Sequence, residues 1–156
     1  MNLDEGKLDE LFRRHWRGAW RAAYAVTWRR ELANDVAQEA FVRAATRGRF
    51  DASRPFGPWV TRIAVNLAID ELRRERRLSP EALEAAGEAP PEADDSVVRA
   101  VARLEPDRRT IVVLHYWLDF QTPEIAELLG LPQGTVASRL SRALDQLRID
   151  LEAEHV

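Results

Sequence analysis

The chain has no cysteine, and of its 23 basic side chains only Lys7 is a lysine. Without thiols there can be neither a disulfide framework nor a thiolate metal site. Three histidines occur, His15, His115 and His155, scattered without ligand spacing. No glycine-rich phosphate loop and no nucleophile–base pair is visible. The sequence therefore predicts no enzyme, no cofactor and no metal. No run of about 18 apolar residues exists, which argues against a membrane span. The opening MNLDEGKLDE is acidic and lacks the apolar core of a signal peptide. A cytoplasmic protein is the expectation. Strand-like alternation of useful length is also missing, as is any internal repeat, so the expected fold class is all-α.

What is present fits one or two small domains: 156 residues, with an apolar fraction of 46% that can fill an ordinary core. Net charge is −3, which excludes a generically basic nucleic-acid binder. Arginine suits phosphate and base-edge contacts better than lysine. A GC-rich coding bias accounts for the overall arginine count, so the placement of the arginines carries more information than their number.

The most legible stretch runs from Thr122 to Arg148. Thr122 can cap a first helix with Pro123 at its first position. Ile125, Ala126, Leu128 and Leu129 supply its apolar face, and Gly130 follows as a left-handed terminator. A second helix opens around Pro132 to Thr135 and runs to about Arg148. Its apolar residues Val136, Leu140, Ala143, Leu144 and Leu147 recur at helical spacing. The opposite face carries Ser138, Ser141, Arg142 and Asp145, flanked by Thr135, Arg139 and Gln146. Two short helices, a tight turn and a basic, hydroxyl-rich outer face describe a helix-turn-helix. An ordinary helical hairpin would share the periodicity but not the agreement of cap, turn and outward chemistry.

Residues 8–30 read as a long amphipathic helix. Leu8, Leu11, Phe12, Trp16, Ala19, Ala23 and Val26 lie near one face, beside an aromatic row of Trp20, Tyr24 and Trp28. Arg13, Arg14, Arg17 and Arg21 point mostly outward. A break is expected near Glu31–Asn34, then a second helix over 35–47 capped near Asn34 or Asp35. Val36, Ala37, Ala40, Phe41 and Ala44 form its buried side. Asp35, Gln38 and Glu39 leave a polar flank at its start, where the helix dipole alone would favour acids. Residues 48–58, with two Gly and two Pro, predict a loop.

A third helix is predicted from Pro58 or Trp59 to about Arg77. Apolar residues cover most of its circumference, with Val60, Ile63, Ala64 and Leu67 on one side and Val65, Ala68, Ile69 and Leu72 on another. Between them runs a narrow polar stripe of Arg62, Asn66, Asp70, Arg73 and Arg77, with Trp59 at its edge. A solvated helix edge would also account for the stripe taken alone.

Residues 78–95 change composition abruptly, with six acids, no basic residue, Gly87 and three prolines. They predict a flexible acidic linker between a helical domain at 1–77 and a second at 96–156. The second domain should open with a short helix over Ser96–Leu104. A turn at Glu105-Pro106-Asp107 follows, and then an apolar helix over 107–118. Ile111, Val112, Leu114, Tyr116 and Trp117 of that helix would pack beneath the helix-turn-helix. A frayed acidic tail ends the chain.

These blocks, in this order, resemble an extracytoplasmic-function (ECF) sigma factor of the bacterial sigma-70 family, over nearly the whole length. NDVAQEAFVRA resembles the core-polymerase-binding helix. FGPWVTRIAVNLAIDELRRERR resembles the helix that melts and reads the minus-10 hexamer. LEPDRRTIVVLHYWLDFQTPEIAELLGLPQGTVASRLSRALDQLR resembles the domain that reads the minus-35 hexamer. The resemblance implies that Asp35, Gln38 and Glu39 bind the clamp coiled coil of the largest polymerase subunit. It implies that the flap of the second subunit and promoter DNA are partners, and it brings an anti-sigma factor into view as another. Trp59, Arg62, Asn66, Arg73 and Arg77 would serve the minus-10 element, with the loop Phe50–Pro58 capturing a flipped base. Thr135, Ser138, Arg139 and Arg142 would serve the minus-35 element. Ala137 stands where the family often has a basic residue. A stand-alone helix-turn-helix regulator would account for Thr122–Arg148 but leaves the stripe over Arg62–Arg77 unexplained. A purely protein-binding adaptor leaves the outer face of the last helix unexplained.

Overall fold

The structure, a computed structural model, describes residues 4–46, 53–79 and 95–155. The described residues are helical, with no strand among them, and group into two compact units, Met1–Ala82 and Leu83–Val156.

In the first unit, helix α1 spans Glu5–Thr27. The Asp4 carboxylate accepts from the Lys7 backbone N–H at 2.7 Å, satisfying one free donor of the first turn. The helix starts before the expected residue 8 and stops before residue 30. Its end is set by Trp28, which turns left-handed at φ 58°, with its N–H donating to the Tyr24 carbonyl at 2.7 Å. Such a conformation is uncommon outside glycine. Here the buried indole, which donates to the Ala25 carbonyl at 2.7 Å, offsets its cost. Trp28 is thus a terminator rather than the next member of the row of Trp20 and Tyr24.

Because the chain turns at Trp28, α2 begins at once and spans Arg30–Thr46. The expected break at Glu31–Asn34 is absent: Ala33 is fully buried, and its N–H donates to the Arg29 carbonyl at 2.9 Å. Asn34 and Asp35 are therefore not caps. Helix α3 spans Phe56–Leu78, starting two to three residues before the predicted Pro58 or Trp59. Phe56 is buried and sits 6.1 Å from the Phe41 ring and 5.5 Å from His15. That contact draws the end of the predicted loop into the helix, and Pro58 falls within the first turn, where its missing N–H is tolerated. Gly57 is required beside His15, since a Cβ there would lie 2.8 Å from Nδ1.

His15 lies beside Gly57, and Arg29 forms an ion pair with Glu75, so α1 and α3 run in the same direction. The three helices close on alanines: Ala19, Ala23, Ala37, Ala40, Ala64 and Ala68 are all 0% exposed. Small side chains let helix axes approach closely. Phe12, placed by periodicity in the core, is instead an exposed lid stacked on Trp16 at 4.9 Å.

The second unit contains α4 (Asp95–Ala102), α5 (Pro106–Val112), a π-helical segment (Val113–Trp117), α6 (Thr122–Leu129) and α7 (Gln133–Glu154). Of the predicted linker 78–95, Leu78 ends α3 and Asp95 starts α4; residues 80–94 lie outside the described residues. Ile111, Leu114, Ile125 and Val136 are 0% exposed and form the centre of the core.

The predicted α-helix over 107–118 changes to π-helix after Val112, with the Leu118 N–H donating to the Val113 carbonyl at 3.1 Å. The wider turn re-aims the following side chains. Tyr116 and Trp117, expected in the core, are 53% and 41% exposed. Gln121, not Thr122, caps α6: its backbone N–H donates to Glu124 Oε1 at 3.3 Å, half of a capping box. Gly130 closes α6 at φ 64°, as its position predicts. Helix α7 continues past Arg148 to Glu154 rather than fraying. Glu154 is held by Arg99 at 3.5 Å and Arg103 at 3.7 Å, both from the α4 segment. No described helix is long and apolar enough to cross a membrane.

Candidate nucleic-acid interface

Helix α7 is buried along a narrow seam. Val136, Leu140 and Ala143 are buried on the helix that α4, α5 and α6 pack against, and Ser138, Ser141, Arg142 and Asp145 are exposed on the other side. Thr135 and Arg139 flank this face and are half-buried. Arg139 lies 3.7 Å from the Asp107 carboxylate, so it is oriented from its own unit. Ala137 is exposed beside Ser138. Short hydroxyls and one long guanidinium on an otherwise unobstructed helix are a surface that fits a major groove.

Behind α5, Arg109 is tied inward. Its Nη2 donates to the carbonyls of Ala102 at 2.9 Å and Leu104 at 3.3 Å. Burial lowers its pKa from the usual arginine value. It braces the α4–α5 turn rather than facing solvent.

On α3, Asn66, Asp70, Arg73 and Arg77 are exposed in one line, and Trp59 and Arg62 are half-buried at its N-terminal end. Trp59 stands edge-on to Phe56 at 5.6 Å, so the aromatic edge is packed in place. Beside the stripe, Glu71 is hydrogen-bonded by Arg74, which holds its carboxyl below the usual carboxylate range. Glu75, the one acid within RRERR, is engaged by Arg29. The segment Phe50–Pro58 divides. Phe50 to Ala52 lie outside the described residues, Ser53–Pro55 are exposed, and Phe56–Pro58 are the first turn of α3.

On α2, Asp35, Gln38 and Glu39 are exposed along one line. Since the helix begins at Arg30, these residues lie beyond its first turn, where the dipole has largely faded. The dipole thus does not account for this flank. Glu39 is paired with Arg43 at 3.0 Å.

Sequence reasoning missed an apolar groove of about 980 Å³ on the second unit. Val101, Val112, Tyr116, Trp117, Leu144 and Leu147 form its walls. Leu144, assigned to the buried face, is 37% exposed at its rim. The available signal was surplus: α7 carries more leucines than one seam can cover. The π-helical turn that opens the groove has no counterpart in periodicity.

Both halves match known families: Sigma-70 region 2 over residues 11–78 and Sigma-70 region 4 over residues 94–147. The chain belongs to the ECF sigma factors of the sigma-70 family. It is 34% identical to the ECF RNA polymerase sigma factor SigW of Bacillus subtilis, over 76% of this chain and 75% of SigW. It is 35% identical to SigM of Mycobacterium tuberculosis, over 92% of this chain and 76% of SigM. Among solved structures, RpoE of Bartonella quintana, bound to the anti-sigma factor NepR, superposes with a TM-score of 0.64 at 21% identity, covering 92% of this chain and 96% of that one. CnrH, in complex with the cytosolic domain of CnrY, gives 0.58 at 27% identity, covering 96% and 90%. This ECF factor is accordingly a promoter-specific RNA polymerase sigma factor, a transcription initiation factor with two helical domains.

Proposed function

We propose that the two units read the two promoter elements in different physical states. Helix α7 enters the duplex major groove at the minus-35 element, with Ser138 and Arg142 on base edges, Thr135 beside them and Arg139 on a phosphate. Helix α3 lines the path of the melted minus-10 strand. Asn66, donor and acceptor at once, reads a base there, Arg62, Arg73 and Arg77 face phosphates, and Trp59 offers a stacking edge. The segment Phe50–Pro58 holds an extruded base. The 1–77 and 96–156 regions are then the two reading domains, and the acidic 78–95 region lets them span the promoter.

Asp35, Gln38 and Glu39 dock the clamp coiled coil of the largest polymerase subunit. The apolar groove receives the flap of the second-largest subunit, and an anti-sigma factor is a further partner of this chain. The observation that carries the reading is α7 itself: Ser138 and Arg142 stand exposed one turn apart, opposite a seam that is almost fully buried.

Transcription by added core polymerase from intact and minus-35-mutated promoters tests it. Arg142→Ala should cost about 1–3 kcal/mol of upstream discrimination, the scale of one bidentate base contact. If the variant keeps the wild-type ratio between the two promoters, α7 does not read the upstream element through Arg142. Selective nanomolar promoter binding by the free chain at near-physiological salt would instead favour a stand-alone regulator.

A further inference from the structure

The polar side chains of α7 divide along its length. In the C-terminal half they satisfy one another: Gln146 donates to Asp150 Oδ1 at 3.0 Å and Arg148 to Asp145 Oδ1 at 3.3 Å. In the first three turns Arg139 is held by Asp107 at 3.7 Å. Gln133, Ser138, Ser141 and Arg142 are exposed there and have no hydrogen-bond or ion-pair partner among the described residues. The unengaged stretch therefore starts at Gln133, the first residue of the helix, ahead of Ser138 and Arg142.

Two exposed rows run along this stretch. Gly134, Ser138 and Arg142 recur at i, i+4 and i+8, and so do Gln133, Ala137 and Ser141 beside them. The second row has a distinct chemistry. The Gln133 amide holds a donor and an acceptor side by side, the pattern that pairs with N6 and N7 of adenine in the major groove. Guanine presents two acceptors on that edge, so the amide oxygen would face another acceptor. Ala137 offers a methyl and no polar atom. It suits the thymine methyl, whereas a cytosine amino group against it would be left without a partner. So short a side chain needs a close approach, and the surface beside it is bare: a Cβ on Gly134 would meet nothing within 4 Å in the chain. At about 1.5 Å per residue, Gln133 and Ala137 lie roughly 6 Å apart along the axis, under two base-pair steps of about 3.4 Å. Gln133 and Arg142 lie roughly 14 Å apart and so meet different base pairs.

We propose that Gln133 and Ala137 are further specificity-determining residues of α7 and select neighbouring A·T pairs in the upstream element, Gln133 through an adenine edge and Ala137 through a thymine methyl. It rests on the reading of α7 as the groove helix. Because these positions differ from those met by Arg142, the row adds base preference rather than general affinity.

The test uses full-length protein assembled with core polymerase and a promoter library randomised across the upstream element and its flanks, with the transcripts sequenced. Wild-type protein should prefer adenine at one position and thymine within two steps of it, each by about tenfold, the scale of one good base contact. Gln133→Ala should erase the adenine preference and leave unchanged the positions that respond to Arg142→Ala. Ala137→Ser, which supplies an acceptor for the cytosine amino group, should narrow the preference for thymine over cytosine. On a fixed promoter, deoxyuridine in place of that thymine removes only the methyl and should weaken wild-type binding severalfold. Both residues are exposed, so both variants should melt with the wild type. Unchanged preference at every position in Gln133→Ala overturns the Gln133 contact, and a silent deoxyuridine substitution overturns the Ala137 contact. A uniform loss over all sequences in Gln133→Ala also overturns the proposal, since it would make Gln133 a backbone contact. Arg142→Ala is run in parallel. If it relaxes its own positions while Gln133→Ala relaxes none, this row is wrong and the α7 reading stands; if neither variant alters any upstream position, the α7 reading itself fails.

Discussion

Helices α3 and α7 are of similar length, yet their units hold them differently. Helix α3 is walled in: Phe56, Val60, Ala64, Val65, Ala68 and Ile69 are buried, leaving a polar stripe. Helix α7 is buried only at Val136, Leu140 and Ala143, and most of its residues are exposed. The contrast follows from the form of the nucleic acid each is proposed to meet. A helix that enters a major groove must be free over most of its circumference. One that lines the path of a single strand gains from being fixed in a rigid wall, because a stacking edge and a base pocket need rigid support.

The largest effect should come from breaking the core of the second unit. Leu114 is 0% exposed within it. Leu114→Ala should destabilise the second unit by about 2–5 kcal/mol through lost burial and the cavity left behind. Hydrogen exchange should show amides of α5 to α7 losing protection while those of α1 to α3 keep theirs. Equal loss in both units would mean that they unfold as one.

A smaller effect sharpens the comparison inside the first unit, where α2 is proposed to face polymerase and α3 DNA. Asp35→Ala with Gln38→Ala should lower affinity for core polymerase by at least about tenfold, roughly 1.4 kcal/mol, with helicity unchanged. A titration showing wild-type affinity would remove the flank from the interface. Smaller again, Asn66→Ala should slow open-complex formation by about tenfold, the low end of the 1–3 kcal/mol carried by a base contact, while core binding stays intact. Equal loss of core binding would give Asn66 a structural role instead.

Legibility in the sequence followed the same division. The helix-turn-helix could be read residue by residue because its signals are local: a proline near the start of α6, Gly130 at its end and an apolar seam in α7. The stripe on α3 was readable because polar residues at one phase of an otherwise apolar helix stand out. The joint at Trp28 was not, since a tryptophan in phase with a helix gives no sign that it will turn left-handed. That one error displaced the start of α2 and made Asp35 look like a capping residue.

By itself the sequence determined that the chain is built of helices, which phases are apolar, and the order of blocks that places the chain among the sigma factors. These depend on propensity, periodicity and turn chemistry, which act within a few residues. Tertiary packing alone decided where α1 ends, that α3 begins at Phe56, that the α5 segment widens into a π turn, and that Tyr116, Trp117 and Leu144 line an open groove. The start of α3 and the groove depend on residues far apart in the chain, such as Phe56 against Phe41 and His15, or Tyr116 and Trp117 beside Leu144. Periodicity can mark a side chain as apolar, but only the neighbouring helix decides whether it is covered.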